Sequence, residues 1–237
     1  MTVSSSVLDY KNVMIADSSH HKFTWQGLLF FEIKSFIGRH FLQKRKLKID
    51  PNQINLLNLG SGLKPISEPY WINADFFNGF LPGETKAFHA DWMLDLRYPL
   101  LCPDNIWDGV FTEHTLEHLY PDEVFNLLKE LHRTMKPQAW IRITVPDLQK
   151  YVDYYEGRNV NPKFSQWKTG NEAIHTLTQN YQHISVWNDE LLGQFLETIG
   201  FENIKQVSLQ QGTDMRLCKD REERSWETFY MEAQKSE

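Results

Sequence analysis

The feature that most constrains this chain is residues 54–62, INLLNLGSG, an apolar run that ends in Gly-x-Gly. A run of this length suits a buried strand, and glycines at its end suit a tight turn. Without a Cβ, Gly60 and Gly62 allow a sharp bend and the close approach of another group. Ligands of open α/β sheets sit beyond the carboxyl ends of the strands. The turn is therefore a candidate cradle for a nucleotide-like ligand, with an ordinary loop as the plain alternative.

The segments that follow alternate in the manner of an α/β protein. Residues 71–75, WINAD, read as a second strand ending in Asp75, whose carboxylate can accept hydrogen bonds from a ribose diol. The link between Gly62 and Trp71 contains Pro65 and Pro69 and is too short for a full crossover helix, so this crossover is abbreviated. Residues 86–90 read as a third strand. It leads to Asp91 and Asp95, candidates for an adenine or ribose edge or for a turn cap. A fourth strand is expected over 106–111. A helix opens at Pro121 and ends at Lys136-Pro137, and a fifth strand follows over 140–145. Beyond Pro146, residues 146–187 are polar and aromatic and read as an insertion. Asn188 then caps a helix closed by Gly200, and strands follow over 201–209 and 226–231.

Residues 1–51 form a separate arm, and 52–237 the main domain. Thr24 is placed to cap a helix beginning near Trp25. Leu28, Phe31, Ile33, Phe36, Ile37 and Phe41 recur along that helix at helical spacing, and Lys44, Arg45, Lys46 and Lys48 follow. Three readings are open for the arm: a capping helix with a solvated basic end, a peripheral membrane contact, or a homodimer contact. The net charge of −6 argues against a nucleic-acid coat. No run is long enough to span a membrane, no secretory signal is evident, and two cysteines suit a reducing compartment. A cytoplasmic location is therefore expected.

Residues 114–118, HTLEH, match the H-x-x-E-H pattern of inverted zinc peptidases. On a helix, His114 and His118 would share one face and could bind zinc, with Glu117 activating water. The motif follows directly on a strand, however, and Pro121 comes soon after it. The leading expectation is therefore no metal, with a zinc hydrolase as the remote alternative.

Taken together, LLNLGSG, WINADFF, ADWMLDLRYPL, WDGVFTEHTLEHL, LHRTMKP, WIRITVPDLQKYVDYY, WNDELLGQFLETIGFENI and WETFYMEA resemble the class I S-adenosylmethionine-dependent methyltransferases. The likeness is to the type 11 branch often associated with surface-polysaccharide synthesis. It implies a Rossmann-like fold: one central, mostly parallel sheet with an antiparallel last strand, helices on both faces, an extra N-terminal helix and a lid insertion. It also implies a methyltransferase acting on oxygen or nitrogen of a small molecule, such as a sugar or polysaccharide precursor. By resemblance, Asn58, Leu59, Gly60, Ser61 and Gly62 hold the methionine end of S-adenosylmethionine, Asp75 the ribose, and Asp95 and Leu96 the adenine. Glu113 and His114 lie near the methionine end. Asn58 replaces the family's usual acid and Lys64 its third glycine. That departure keeps open a second reading, a non-catalytic methyltransferase-like partner protein.

Methyl transfer needs alignment of the acceptor and, for a hydroxyl, a base. His114 and His118 are the candidate catalytic residues, because histidine titrates near neutrality. Tyr154, Tyr155 and His183 are the candidate substrate-binding residues, with Trp167, His175 and Tyr181 as further candidates for the acceptor side. Packing of the lid is the alternative role for these aromatics.

Overall fold

A computed structural model describes residues 24–43, 47, 49–50, 52–77 and 90–237. The basic residues Lys44, Arg45, Lys46 and Lys48, and residues 86–89 of the strand expected over 86–90, lie outside the described residues. The first strand, β1 (Leu56–Leu59), is buried at every position and is flanked by β2 (Trp71–Asp75) and β4 (Trp107–Glu113), both parallel to it. With β3 (Trp92–Met93), β5 (Met135–Pro146), β6 (Phe201–Val207) and β7 (Thr228–Lys235), they form one seven-stranded sheet of order β3-β2-β1-β4-β5-β7-β6. Only β7 runs against its neighbours. This is the expected Rossmann-like sheet with an antiparallel last strand.

Burial on both faces explains why β1 and β4 read as near-continuous apolar runs. No helix lies between β1 and β2, as the two prolines require. Helix α2 (Pro121–Thr134) starts on Pro121 and turns Val124, Leu127, Leu128 and Leu131 inward, while α5 (Asp189–Ile199) is capped by Asn188 and closed by Gly200 at φ 107°. Strand β5 starts earlier than Lys136-Pro137 led us to expect. Pro137 lies where the β4–β5 register shifts, the place where a strand tolerates a proline. Within β5, the buried Arg142 donates to Asp220 and Glu232 and to the carbonyls of Ser208 and Gln211, fastening the 208–220 loop to the sheet.

Helix α1 (Trp25–Ile37) starts where Thr24 caps it, but its orientation is not that of a helix burying an apolar stripe. Its buried residues are Lys34 and Ser35, while Trp25, Leu28, Leu29, Phe30 and Phe36 are exposed. Polar contacts hold it over the carboxyl ends of β2 and β3. Ser35 Oγ donates to Asp95 Oδ2 at 2.6 Å, and Arg97 bonds both Asp95 oxygens and reaches Glu32. Phe31 stacks on Phe76 at 4.5 Å, and Gly38 lies so close to Phe77 that a Cβ there would fall 2.2 Å from its ring. No helix among the described residues is long and apolar enough to cross a membrane.

Burial opposes the charge of Asp95, but the Arg97 and Ser35 hydrogen bonds outweigh it and hold the carboxyl below the usual carboxylate range. A depressed folded-state pKa contributes stability that is present above the unfolded value and is lost as pH falls through the folded value. Replacing Asp95→Asn should therefore cost about 2 kcal/mol at neutral pH and flatten the fall in stability between about pH 5 and pH 3. Denaturant titration of both proteins across that range measures it.

Candidate methyl-transfer site

The site forms where the chain leaves the sheet in two directions. From β1 it moves toward β2 and β3, and from β4 it moves toward β5. Ligands of open α/β sheets sit at such a switch point. The turn after β1 is held by Gly60 and Ser61, whose amides donate to Ala74 O at 2.9 and 3.1 Å, and Gly62 N donates to Asp75 Oδ2 at 2.5 Å. Gly60 has φ +73°, and a Cβ there would meet Thr115 Oγ1 at 2.1 Å, so only glycine lets the loops after β1 and β4 touch. Gly62 has φ +55°, and a Cβ there would meet no described atom within 4 Å. The Ser61 hydroxyl is buried and has no hydrogen-bond partner among the described residues.

Asp75 stands at the end of β2 with its oxygens on the amides of Gly62 and Phe76. Burial pushes its carboxyl up from the usual range, although both amides and nearby His118 pull the other way. Asn58 is buried and donates to Asn73 Oδ1 at 2.8 Å, and Leu59 is fully buried. Asp91 accepts from the amide and side chain of Asn73, which is a turn-closing role. Asp95 is taken up by Ser35 and Arg97, and Leu96 packs against the core beside it. The donors that engage Asp95 come from an arm sixty residues earlier and from its own loop, a pairing that no local pattern announces.

At the end of β4, Glu113 accepts from the backbone amide of Arg221 at 2.9 Å and from its Nε. His114 then turns the chain with φ +51°, and a short 3-10 turn, Leu116–His118, follows. This corrects the zinc-hydrolase alternative. His114 and His118 do not share a helical face, because the helix that the motif needs is broken at His114. Thr228 Oγ1 donates to Arg224 O, so it can only accept from His114 Nε2 at 2.8 Å, and that nitrogen carries a proton. The other ring nitrogen lies 3.2 Å from Glu117 Oε1. His114 is thus engaged on both sides, whereas His118 is exposed.

Glu117 is 1% exposed, and neither of its oxygens has an aligned hydrogen bond among the described residues. Burial opposes its charge, but His114 beside it, with His118 and His183 around it, holds the carboxyl below the usual range. His183 is brought there by backbone: the amides of Ile184 and Ser185 both donate to Glu117 O, at 2.9 and 3.2 Å. Its ring meets that of His118 edge-on at 5.0 Å, and burial pushes its pKa down from the usual histidine range.

The other acceptor-side candidates are spread over the lid, which is built on α3 (Leu148–Tyr155) and α4 (Gly170–Gln179). Tyr154 donates to Trp167 O at 2.7 Å and packs with Phe164 and Trp167 in the lid's own small core. Tyr155 is exposed, and His175 is beside Gln179 on α4. Tyr181 is also exposed and lies 5.9 Å from the His183 ring. His183 is therefore the predicted substrate-side residue that the fold brings to His118 and Glu117.

Residues 39–206 match the model of a family described as a methyltransferase domain. The chain belongs to this methyltransferase family. Membership bears out the class I methyltransferase resemblance, with S-adenosylmethionine as the donor it implies. Among solved structures, the methyltransferase is similar to a SAM-dependent methyltransferase from Archaeoglobus fulgidus, with 18% identity, 90% of this chain and 100% of that chain covered, and a TM-score of 0.48. It is also similar to phosphoethanolamine N-methyltransferase 2 of Haemonchus contortus in complex with S-adenosyl-L-methionine, with 13% identity over 92% and 58% of the two chains and a TM-score of 0.45. A methyltransferase from Methanosarcina mazei aligns with 16% identity over 78% and 94%, at a TM-score of 0.46. At these scores the likenesses carry no argument, and the family match does. Comparison with curated proteins gives no match.

The two glycines of the methyltransferase's first loop make unequal demands. Gly60→Ala should destabilise by well over the roughly 1 kcal/mol of a strained φ, because Thr115 must also move, whereas Gly62→Ala should cost only about that strain. Thermal unfolding of the two variants side by side gives the comparison.

Proposed function

We propose that the chain transfers a methyl group from S-adenosylmethionine to a hydroxyl or amine of a small molecule. The donor lies over the Gly60–Gly62 turn, and the acceptor enters from the side of His118 and His183. The observation that carries this reading is the pairing of Asp75 with the open cradle at Gly62. A half-buried carboxylate lies beside Gly62, a buried Ser61 hydroxyl has no partner among the described residues, and no described atom lies within 4 Å of where a Cβ on Gly62 would stand. These groups fit a ligand with a sugar diol and an amino-acid end. When bound, the donor supplies a methyl group already activated on a sulfonium.

The residues then divide the work. Asp75 accepts from the ribose hydroxyls, for which an ionised carboxylate has spare lone pairs beyond those on Gly62 and Phe76. Asn58 commits its amide nitrogen to Asn73, which leaves its oxygen as the acceptor for the donor's ammonium. Glu113, aligned by Arg221, supplies negative charge at the end of β4 that the Asn58 position lacks. Ser35 and Arg97 tie Asp95 into the wall on the adenine side, so Asp95 shapes that wall while Leu96 contributes apolar surface. Of the two expected bases, His114 is a positioning residue, and His118 lies on the face where an acceptor proton leaves. The polar tips of Tyr155 and Tyr181 on the exposed lid edge suit a sugar-like acceptor.

Calorimetry with S-adenosylmethionine tests the reading. The wild-type chain should bind it, and Asp75→Asn should weaken binding by about tenfold to a hundredfold, the worth of a charge-assisted hydrogen bond. His118→Asn should keep donor affinity yet lose transfer of labelled methyl to a panel of small hydroxyl and amine acceptors. Absence of donor binding by the wild-type chain at millimolar concentration would overturn the proposal and favour a non-catalytic partner.

A further inference from the structure

The cluster behind the acceptor side contains a feature that methyl transfer alone does not require. Glu117 is buried, and neither carboxylate oxygen has an aligned hydrogen bond among the described residues, which is costly for a charged group unless something positive meets it. His183 faces it in a defined tautomer. Its Nδ1 lies 2.8 Å from Leu177 O, and a carbonyl only accepts, so Nδ1 carries the proton. In the neutral ring that leaves Nε2 with the lone pair, and Nε2 lies 3.9 Å from Glu117 Oε1. Two electron-rich atoms facing each other across a gap, one of them fixed by a backbone carbonyl, is the arrangement that metal-ligating histidines use. His118 completes the set: one ligand atom from each of Glu117, His118 and His183 lies within 4.8 Å of the others.

We propose that Glu117, His118 and His183 bind one divalent transition-metal ion of the zinc or iron(II) type. Two imidazoles and one carboxylate favour such ions over magnesium or calcium, which prefer oxygen ligands throughout. Bonds of about 2.1 Å in a tetrahedral site place ligand atoms about 3.4 Å apart, so the three must draw together by up to about 1.4 Å, through rotation at the exposed His118 and smaller shifts of Glu117 and His183. His114, whose Nδ1 lies 3.2 Å from Glu117 Oε1, orients the ligating carboxylate. The set differs from the H-x-x-E-H pattern: His114 is outside it, and the second histidine comes from the return strand of chain after the lid. Three protein ligands leave positions open on the His118 side, where an ion lowers the pKa of a bound hydroxyl, so that with the ion present His118 serves as its ligand and no longer as the base. The site stands on this geometry, while its part in methyl transfer rests on the proposed function.

Cobalt(II) titration of the full chain after dialysis against chelator tests the site, with visible ligand-field absorption as the readout. The wild type should saturate at one equivalent with an intense tetrahedral-type band. His183→Asn and His118→Asn, each checked for native fold by circular dichroism, should bind at least about tenfold more weakly. No saturable band in the wild type, or unchanged affinity in folded His183→Asn, would overturn the proposal. S-adenosylhomocysteine binding, measured by calorimetry on the same chelator-treated protein, separates the two readings: its failure strikes the methyltransferase site and leaves the cobalt result standing.

Discussion

The close approach of Thr115 to Gly60 is the contact on which the site depends. It joins the loops that leave β1 and β4, and it exists because residue 60 has no Cβ and accepts a positive φ. With any other side chain there, the loops would part, and Asp75, held through the Gly62 amide, would lose its fixed place above the sheet. Burial of β1 and β4 supplies the rigidity behind this contact, since strands packed on both faces move little relative to each other. The turn after β1, where the donor is proposed to lie, is therefore a product of backbone geometry, with few side chains responsible for it.

The opposite side of the site is built from charge. Glu117 is surrounded by three histidines: His114 bonds Thr228, His183 bonds Leu177 O, and His118 is exposed with its ring edge-on to that of His183. All three favour the charged form of Glu117. The backbone bonds from Ile184 and Ser185 to Glu117 O fasten the chain that follows α4 to the turn after β4, and so fix where His183 stands.

Much of this was legible in the sequence. The apolar run before Gly60, the acid closing the second strand, the caps at Thr24 and Asn188 and the stop at Gly200 are local patterns, and local physics decided them. The family resemblance rested on the order of those patterns and held. What escaped were arrangements made by distant partners. Asp95 read as an open acid because nothing nearby in sequence shows that Ser35, sixty residues earlier, would join Arg97 in claiming it. The apolar spacing of α1 gave its helix but not its orientation, which is set by Asp95 and Phe76. Tyr154 and Trp167 read equally as pocket lining or as lid packing, and their contact with each other depends on how residues 154 and 167 fold together. The H-x-x-E-H match failed because one residue, His114, adopts a left-handed turn that a pattern of letters does not carry.

The central claim is that the donor sits at the switch point between β1 and β4. Hydrogen–deuterium exchange with and without S-adenosylhomocysteine tests it most directly. The account predicts protection of the amides of residues 60–62, of Phe76 and of residues 113–118, with little change along α5 and the β6–β7 edge. Protection confined to that far edge, or no protection at saturating ligand, would contradict it.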